Sequence, residues 1–211
     1  MTKKETSEEL LQKLKNDFAL HDDQIEKFNI YMHMLIEWNN NFNLTSILDP
    51  VEIIQYHFHD SLILTKYVSS GDITAIGDIG TGGGFPGIPL KIFFPDIPIV
   101  LIEVCKKKGV FLREVVQALS LNNVHISDLD WRTFLRKTDF PINLFVARAS
   151  LQPEELVRVF KTSSPYKNST LVYWASIAWH PDGQSAGYIT KKYEYAVGSK
   201  SRVLCFFNKG L

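Results

Sequence analysis

Apolar residues recur at helical spacing through the first seventy positions, then give way to short apolar runs separated by turn residues. Leu10, Leu11, Leu14 and Phe18 share one helix face, and Thr6-x-x-Glu9 ahead of them has the form of a capping box. Asp23-x-x-Glu26 predicts the start of a second helix that buries Phe28, Tyr31, Leu35 and Trp38. Asn39-Asn40-Asn41 ends it, because Asn side chains compete for backbone bonds and favour caps and turns. Asp49-Pro50 predicts a third helix, with proline in the first turn and Val51, Ile54, Phe58, Leu62 and Leu64 along it.

From Thr74 the period changes. Residues 75–79 read as a short buried strand, followed by a glycine cluster and an apolar helical segment, Ile88 to Phe94. Ile97 to Val104 predicts a second strand with Glu103 near its end. Val110 to Leu119 is amphipathic, Val124 to Ser127 a third strand and Ile142 to Ala147 a fourth. Tyr193 to Val197 and Arg202 to Phe207 flank Gly198-Ser199-Lys200 as a closing hairpin. Strands that alternate with helical patterns predict an α/β fold, a parallel sheet with helices on both faces. The expected division is a helical extension over 1–70 packed on a core over 71–211.

Composition narrows the class. A chain of 211 residues fits one large domain, or one domain with a helical arm. No apolar run approaches the ~20 residues of a membrane span, and Met1 to Leu10 is charged with no apolar stretch. A cytoplasmic protein with no membrane role is expected, and nothing in the pattern demands more than a monomer. Cys105 and Cys205 stand too far apart for a disulfide framework or a zinc knuckle, and both read as core thiols. Net charge is zero, but residues 1–100 carry 7 Lys/Arg against 14 Asp/Glu and residues 101–211 carry 16 against 9. That asymmetry fits a polyanionic partner on one face, or simply solvated helix faces of different sign.

The strongest local signal is Asp78-Ile79-Gly80-Thr81-Gly82-Gly83-Gly84-Phe85-Pro86-Gly87, between a strand and a helix. A parallel sheet puts its ligand there. Gly82-x-Gly84-x-x-Gly87 fits the dinucleotide fingerprint. Asp78 favours S-adenosylmethionine (SAM) instead: a carboxylate attracts an ammonium and a sulfonium and repels a pyrophosphate. Gly80 at the strand end also makes Gly-x-Gly-x-Gly the natural register. Glu103 could accept bonds from both ribose hydroxyls of either cofactor. A dehydrogenase using NAD stays open on the glycines alone, as does a purely structural turn.

Neither cysteine is placed as a nucleophile for methylating a pyrimidine carbon. The stretch Phe145-Val146-Ala147-Arg148-Ala149-Ser150 lacks the Asn/Asp-Pro-Pro-aromatic turn used on exocyclic amines. What remains is an acceptor that is already nucleophilic, such as guanine N7, which needs only in-line placement. Arg148, at the tip of the fourth strand, points into such a site and could bind a phosphate or a guanine edge; a surface salt bridge is its plain alternative. His57-x-His59-Asp60 offers no third or fourth ligand, so no metal is expected. Lys106-Lys107-Lys108 could grip RNA phosphates or merely solvate a helix start.

Two longer blocks resemble the glucose-inhibited division protein B family, methyltransferases of small-subunit (16S) ribosomal RNA that modify guanine N7. The first is Trp38-Asn39, Asn43-Leu44-Thr45 and His57-Phe58-His59-Asp60-Ser61-Leu62; the second runs from Asp78 to Leu90 and includes Phe85-Pro86-Gly87-Ile88-Pro89. Phe111-Leu112-Arg113-Glu114 and Ala147-Arg148-Ala149 extend the similarity to about residue 150. The resemblance implies a class I SAM-dependent (Rossmann-like) fold, with a seven-stranded, mostly parallel sheet and an amino-terminal helical cap. It implies 16S rRNA or the small subunit as partner and SAM as cofactor. It also implies that Gly80, Gly82, Gly84 and Glu103 hold SAM and that Arg148 faces substrate as the catalytic residue. Asp78 and Phe85 of the loop, Arg148, and Asp130 and Trp131 near the adenine complete the expected cofactor set. Asp130-Trp131-Arg132 stands where the family usually has Arg-Ala-Glu, and residues 163–187 match it poorly, lacking its Lys-Gly after strand five. An altered acceptor, or a SAM- or RNA-binding protein without catalysis, are the competing readings.

Overall fold

The computed structural model describes residues 5–209. The expectations for Met1 to Lys4 and for the last two residues of the core division lie outside them. Helix α1 (Ser7–Phe18) opens as expected: Thr6 Oγ1 accepts the Glu9 N–H at 3.2 Å and Glu9 returns a bond to the Thr6 N–H at 2.9 Å. Helix α2 (Asp22–Asn39) begins slightly earlier than the Asp23-x-x-Glu26 reading, because the His21 N–H finds Gln24 Oε1 at 2.9 Å. The third helical stretch is not one α-helix. After α3 (Pro50–Ile53), capped by Asp49, come a π-helical turn (Ile54–His59), α4 (Asp60–Leu62) and a tight turn over Ile63–Lys66.

Seven strands form one sheet: β1 (Ile76–Ile79), β2 (Ile99–Ile102), β3 (Val124–Ser127), β4 (Leu144–Arg148), β5 (Thr170–Ser176), β6 (Ile189–Val197) and β7 (Lys200–Phe207). Their order is β3-β2-β1-β4-β5-β7-β6. The first five run parallel, and β7 joins antiparallel to β5 and β6. The sheet is therefore seven-stranded and mostly parallel, as the resemblance implied. β2 stops before Glu103, and β6 starts four residues ahead of Tyr193.

Side chains alternate between the two faces, as the period of two requires. Ile76, Leu101, Val146 and Trp174 pack on one face with α1, α2, α5 (Gly87–Phe93) and α6 (Lys106–Ala118). Val100, Phe145, Ala147 and Leu171 pack on the other with α7 (Trp131–Lys137) and α8 (Pro153–Leu156). The amino-terminal helices share the first core: α1 packs on α2 and on the 50–59 segment, and α2 on α5 and α6. The β5–β6 connection holds only the four-residue α9 (Gly183–Ala186). That short link falls within the stretch that matches the family poorly.

Candidate functional site

A groove of about 600 Å³ opens where β1, β2, β3 and β4 end. Four brief parallel strands stop together here, three of them almost wholly buried, and their connecting loops leave a crevice beyond the carboxyl ends. Its walls include Gly80, Glu103, Lys108, Asp130, Trp131 and Ser150. That volume lies in the range of small-molecule sites.

The glycine loop is shaped by its neighbours. Gly80 sits at φ +67°, and a Cβ there would lie 2.5 Å from Ser150 Cβ. Gly84 sits at φ +101°, where a Cβ would meet the Tyr31 hydroxyl at 2.5 Å. Only glycine fits that combination of backbone and space. The Tyr31 hydroxyl donates to the Gly83 carbonyl, so α2 grips the loop directly. Burial holds that phenol well above its ordinary pKa, so it stays a donor.

Glu103 reaches back across the mouth. Its Oε2 accepts the Gly82 N–H at 2.9 Å and its Oε1 accepts the Cys105 N–H at 2.9 Å. Asp130 caps α7, its Oδ1 accepting from the Arg132 and Thr133 amides, each at 3.1 Å. Trp131 is packed in the core, with Nε1–H donating to the Glu155 carbonyl at 3.0 Å, yet part of it lines the groove. Arg132 meets Glu155 through both Nε and Nη2, at 3.0 and 2.8 Å. Of the two positions with reversed charge, Arg132 therefore forms a fork-to-fork pair with Glu155 on the groove's rim, and Asp130 serves as a helix cap.

Asp78 lies fully buried under the loop and is not among the groove's lining residues. Its Oδ2 accepts the Thr81 hydroxyl and, at 2.8 Å, the Gly87 N–H, tying both ends of the loop to β1. Burial pushes its pKa up to about 7, against the pull of those two bonds. Oδ1 is buried without a hydrogen-bond partner among the described residues.

Gly82, Gly84, Phe85 and Arg148 are not among the groove's lining residues; Gly84 and Phe85 pack against Tyr31, and Arg148 reaches the 54–60 segment. Phe85 stacks on His57 with ring centroids 4.2 Å apart, and the Arg148 guanidinium lies 5.2 Å over the same ring. Arg148 Nη1 donates to the Tyr56 carbonyl and to Asp60 Oδ2, both at 2.9 Å, and Nη2 donates to His57 Nδ1 at 2.9 Å. Its side chain is only 9% exposed and that of Asp60 not at all, so this pair is buried rather than a surface salt bridge. Burial, and then the Arg148 charge, drive His57 down to a pKa of about 2. The ring is neutral, and with Nδ1 accepting, its Nε2–H faces Thr45 Oγ1 at 2.9 Å.

This explains why the first block of motif residues is spread over three segments. Asn39 Oδ1 accepts the Leu44 and Thr45 amides at 2.7 and 2.9 Å, Thr45 meets His57, and His57 meets Arg148. Trp174 Nε1–H donates to the Asp60 carbonyl at 2.9 Å. His59 faces elsewhere, toward Asp17 Oδ2 at 3.2 Å, so the two histidines do not converge. No group of three or more metal-ligating side chains occurs among the described residues. Cys105 is exposed at the start of α6 rather than in the core; Cys205 is buried, which pushes its thiol up to about 11. Sequence reasoning missed Ala149, Ser150 and Leu151 as groove residues. Ala149 at φ +51°, directly after β4, turns the chain across the groove, and no residue type advertises that turn.

The family described as "GidB: rRNA small subunit methyltransferase G" matches residues 24–176. Ribosomal RNA small subunit methyltransferase G of Lachnoclostridium phytofermentans is 41% identical over 144 residues, 66% of this chain and 59% of that one. Its counterpart in Desulfitobacterium hafniense is 48% identical over 108 residues, 51% of this chain and 44% of that one. In these matches the chain spans about half the length of the curated relatives. Among solved structures, a precorrin-6y C5,15-methyltransferase from Geobacter metallireducens superposes with a TM-score of 0.55 at 14% identity, covering 71% of this chain and 89% of that one. A SAM dependent methyltransferase from Aquifex aeolicus does so at 0.51 and 17%, covering 75% and 94%. The fold is that of the class I SAM-dependent methyltransferases. No helix among the described residues is long and apolar enough to cross a membrane.

Proposed function

We propose that this chain, which belongs to the GidB family of rRNA small subunit methyltransferases G, binds SAM in the groove and methylates guanine N7 in 16S rRNA. The observation that carries the reading is the meeting of Gly80, Glu103, Asp130 and Trp131 around one groove at the carboxyl ends of the parallel strands. The donor set suits SAM: a carboxylate for a ribose, an apolar indole face for an adenine, and a glycine that leaves the floor open. When bound, SAM supplies a methyl group made electrophilic by its sulfonium.

The residues divide the remaining work. Glu103 accepts from hydroxyl groups and holds the loop closed through Gly82. Asp78 fixes the loop from beneath, through Thr81 and Gly87. Arg148 presents a guanidinium held by Asp60 and His57 on the side where a guanine would enter. A ring nitrogen with a free lone pair requires no base, and neutral His57 already uses both nitrogens in bonds. Catalysis is then placement of the acceptor in line with the methyl group.

In this reading residues 1–70 cap the core, and the chain acts as a monomer in the cytoplasm on 16S rRNA or the small subunit. The test is transfer of labelled methyl from SAM to 16S rRNA and to small subunits lacking their own N7 mark, with the labelled base mapped. Label at one guanine N7 is the expected result. SAM binding without transfer would overturn the acceptor, and no SAM binding would overturn the whole reading.

A further inference from the structure

Asp60 is the centre of a buried charge cluster between the 50–66 helical segment, β4 and the carboxy-terminal hairpin. Its Oδ2 belongs to Arg148, while Oδ1 accepts the Tyr195 hydroxyl at 2.7 Å and lies 3.5 Å from Arg202 Nε. Tyr195 of β6 and Arg202 of β7 are direct partners in the hairpin register, so the hairpin delivers both groups to one oxygen. Arg202 Nε is buried and makes no hydrogen bond of good geometry among the described residues.

An arginine that meets a lone carboxylate favours the two-pronged arrangement, one N–H on each oxygen. Asp60 does not offer it, because the hairpin occupies Oδ1. Arg148 therefore engages Asp60 through Nη1 alone, and Nη2 is left to reach His57 Nδ1. That contact holds the histidine proton on Nε2, facing Thr45.

We propose that Tyr195 and Arg202 are positioning residues for Arg148: by occupying Asp60 Oδ1 they prevent a two-pronged pair and turn the guanidinium toward His57. The carboxy-terminal hairpin, which lies past the end of the family match, thereby sets the orientation of an arginine on β4. The geometry stands by itself; its consequence for methyl transfer rests on the function proposed above.

The test uses the full chain labelled with ¹⁵N, reading the His57 ring nitrogens and the Arg148 side-chain signals. The wild type is expected to show a single neutral His57 tautomer with the proton on Nε2. In the Tyr195→Phe/Arg202→Gln double variant, Arg148 takes both Asp60 oxygens, and His57 becomes a mixture of tautomers. Arg202→Lys, which keeps the charge beside Oδ1, retains the wild-type pattern. A folded double variant with unchanged His57 and Arg148 signals overturns the proposal. Should the double variant not fold, Tyr195→Phe alone, which removes one hydroxyl, carries the same two outcomes. In methyl transfer the double variant should lose about tenfold in kcat, with SAM Kd and RNA KM within about twofold. If the wild type transfers no methyl group, the proposed function falls and the nitrogen signals alone decide this inference.

Discussion

Glu103 and Gly82 are joined by a hydrogen bond of 2.9 Å from the glycine N–H to the glutamate Oε2. The acid after the second strand thus fixes the second glycine of the loop across the groove mouth. Any ligand hydroxyl that binds Glu103 therefore meets a carboxylate already oriented by two backbone amides.

Glu103→Ala removes both that orientation and the acceptor. Hydrogen bonds to a charged group are worth about 1.5–3 kcal/mol, so the SAM Kd should rise on the order of 10- to 100-fold by titration calorimetry. An unchanged Kd would remove Glu103 from the site.

Two glycines of one loop should respond differently to alanine. At Gly84 a Cβ meets Tyr31 and Ile88 at under 3.0 Å in a left-handed backbone. Strain and overpacking together should cost about 2–4 kcal/mol in urea unfolding. At Gly82 the space is open and only the φ of +60° is unfavourable, so Gly82→Ala should cost about 1–2 kcal/mol. Equal losses would contradict the packing against Tyr31. Gly82→Asp should fold but fail to bind SAM.

Asp78 makes stability depend on pH. Its folded pKa of about 7 is above the ordinary 3.8, chiefly through burial. The folded state therefore holds the proton more tightly, and stability from this group is greatest below 3.8 and is lost as pH rises through about 7. Asp78→Asn removes that loss. Relative to wild type, the variant should gain stability between about pH 4 and pH 7; a difference that stays constant would mean that the carboxyl does not titrate there.

Arg148→Ala leaves the fully buried Asp60 without its Oδ2 partner. Loss of one partner of a buried pair costs roughly 3–5 kcal/mol. Arg148→Lys keeps a charge for Asp60 but loses the reach to His57. It should stay folded, bind SAM normally and transfer methyl groups more slowly. A wild-type rate would show that the guanidinium is not used in the substrate half of the site.

Trp131 supplies an optical probe. It lines the groove, whereas Trp38, Trp174 and Trp179 do not. SAM should change the fluorescence, NADH should not, and Trp131→Phe should erase most of the signal. A full signal in that variant would place SAM elsewhere.

Local pattern reads well where the physics is local. The helix starts at Thr6 and Asp49, the glycine loop and the strands that alternate with helices follow from residue type and period, and the structure has each of them. Asp130 carries a readable cap signal, an acid followed by free amides. The cluster around Arg148 was not readable in the same way, since its partners Tyr56, His57 and Asp60 lie about ninety residues away and are matched only by the fold. Asp78 illustrates the same limit. Its charge is visible in the sequence, but its depth beneath the loop depends on how Gly87 approaches β1. The π-helical turn carries no residue signature either; a 3.6-residue period describes its apolar positions almost as well.

That turn has a consequence for insertions and deletions. A π-helical turn holds one residue more than the α-helix it interrupts. Deleting one residue within 54–59 would let the segment relax to an ordinary α-helix, in which each carbonyl accepts the N–H four residues on. The Tyr56 carbonyl, which the Asp60 N–H passes over in favour of Gln55 and which Arg148 Nη1 takes beside Asp60 Oδ2, would then be used up inside the helix. Spacing within this helix is thus constrained as tightly as composition, and length variation among functional relatives should avoid it.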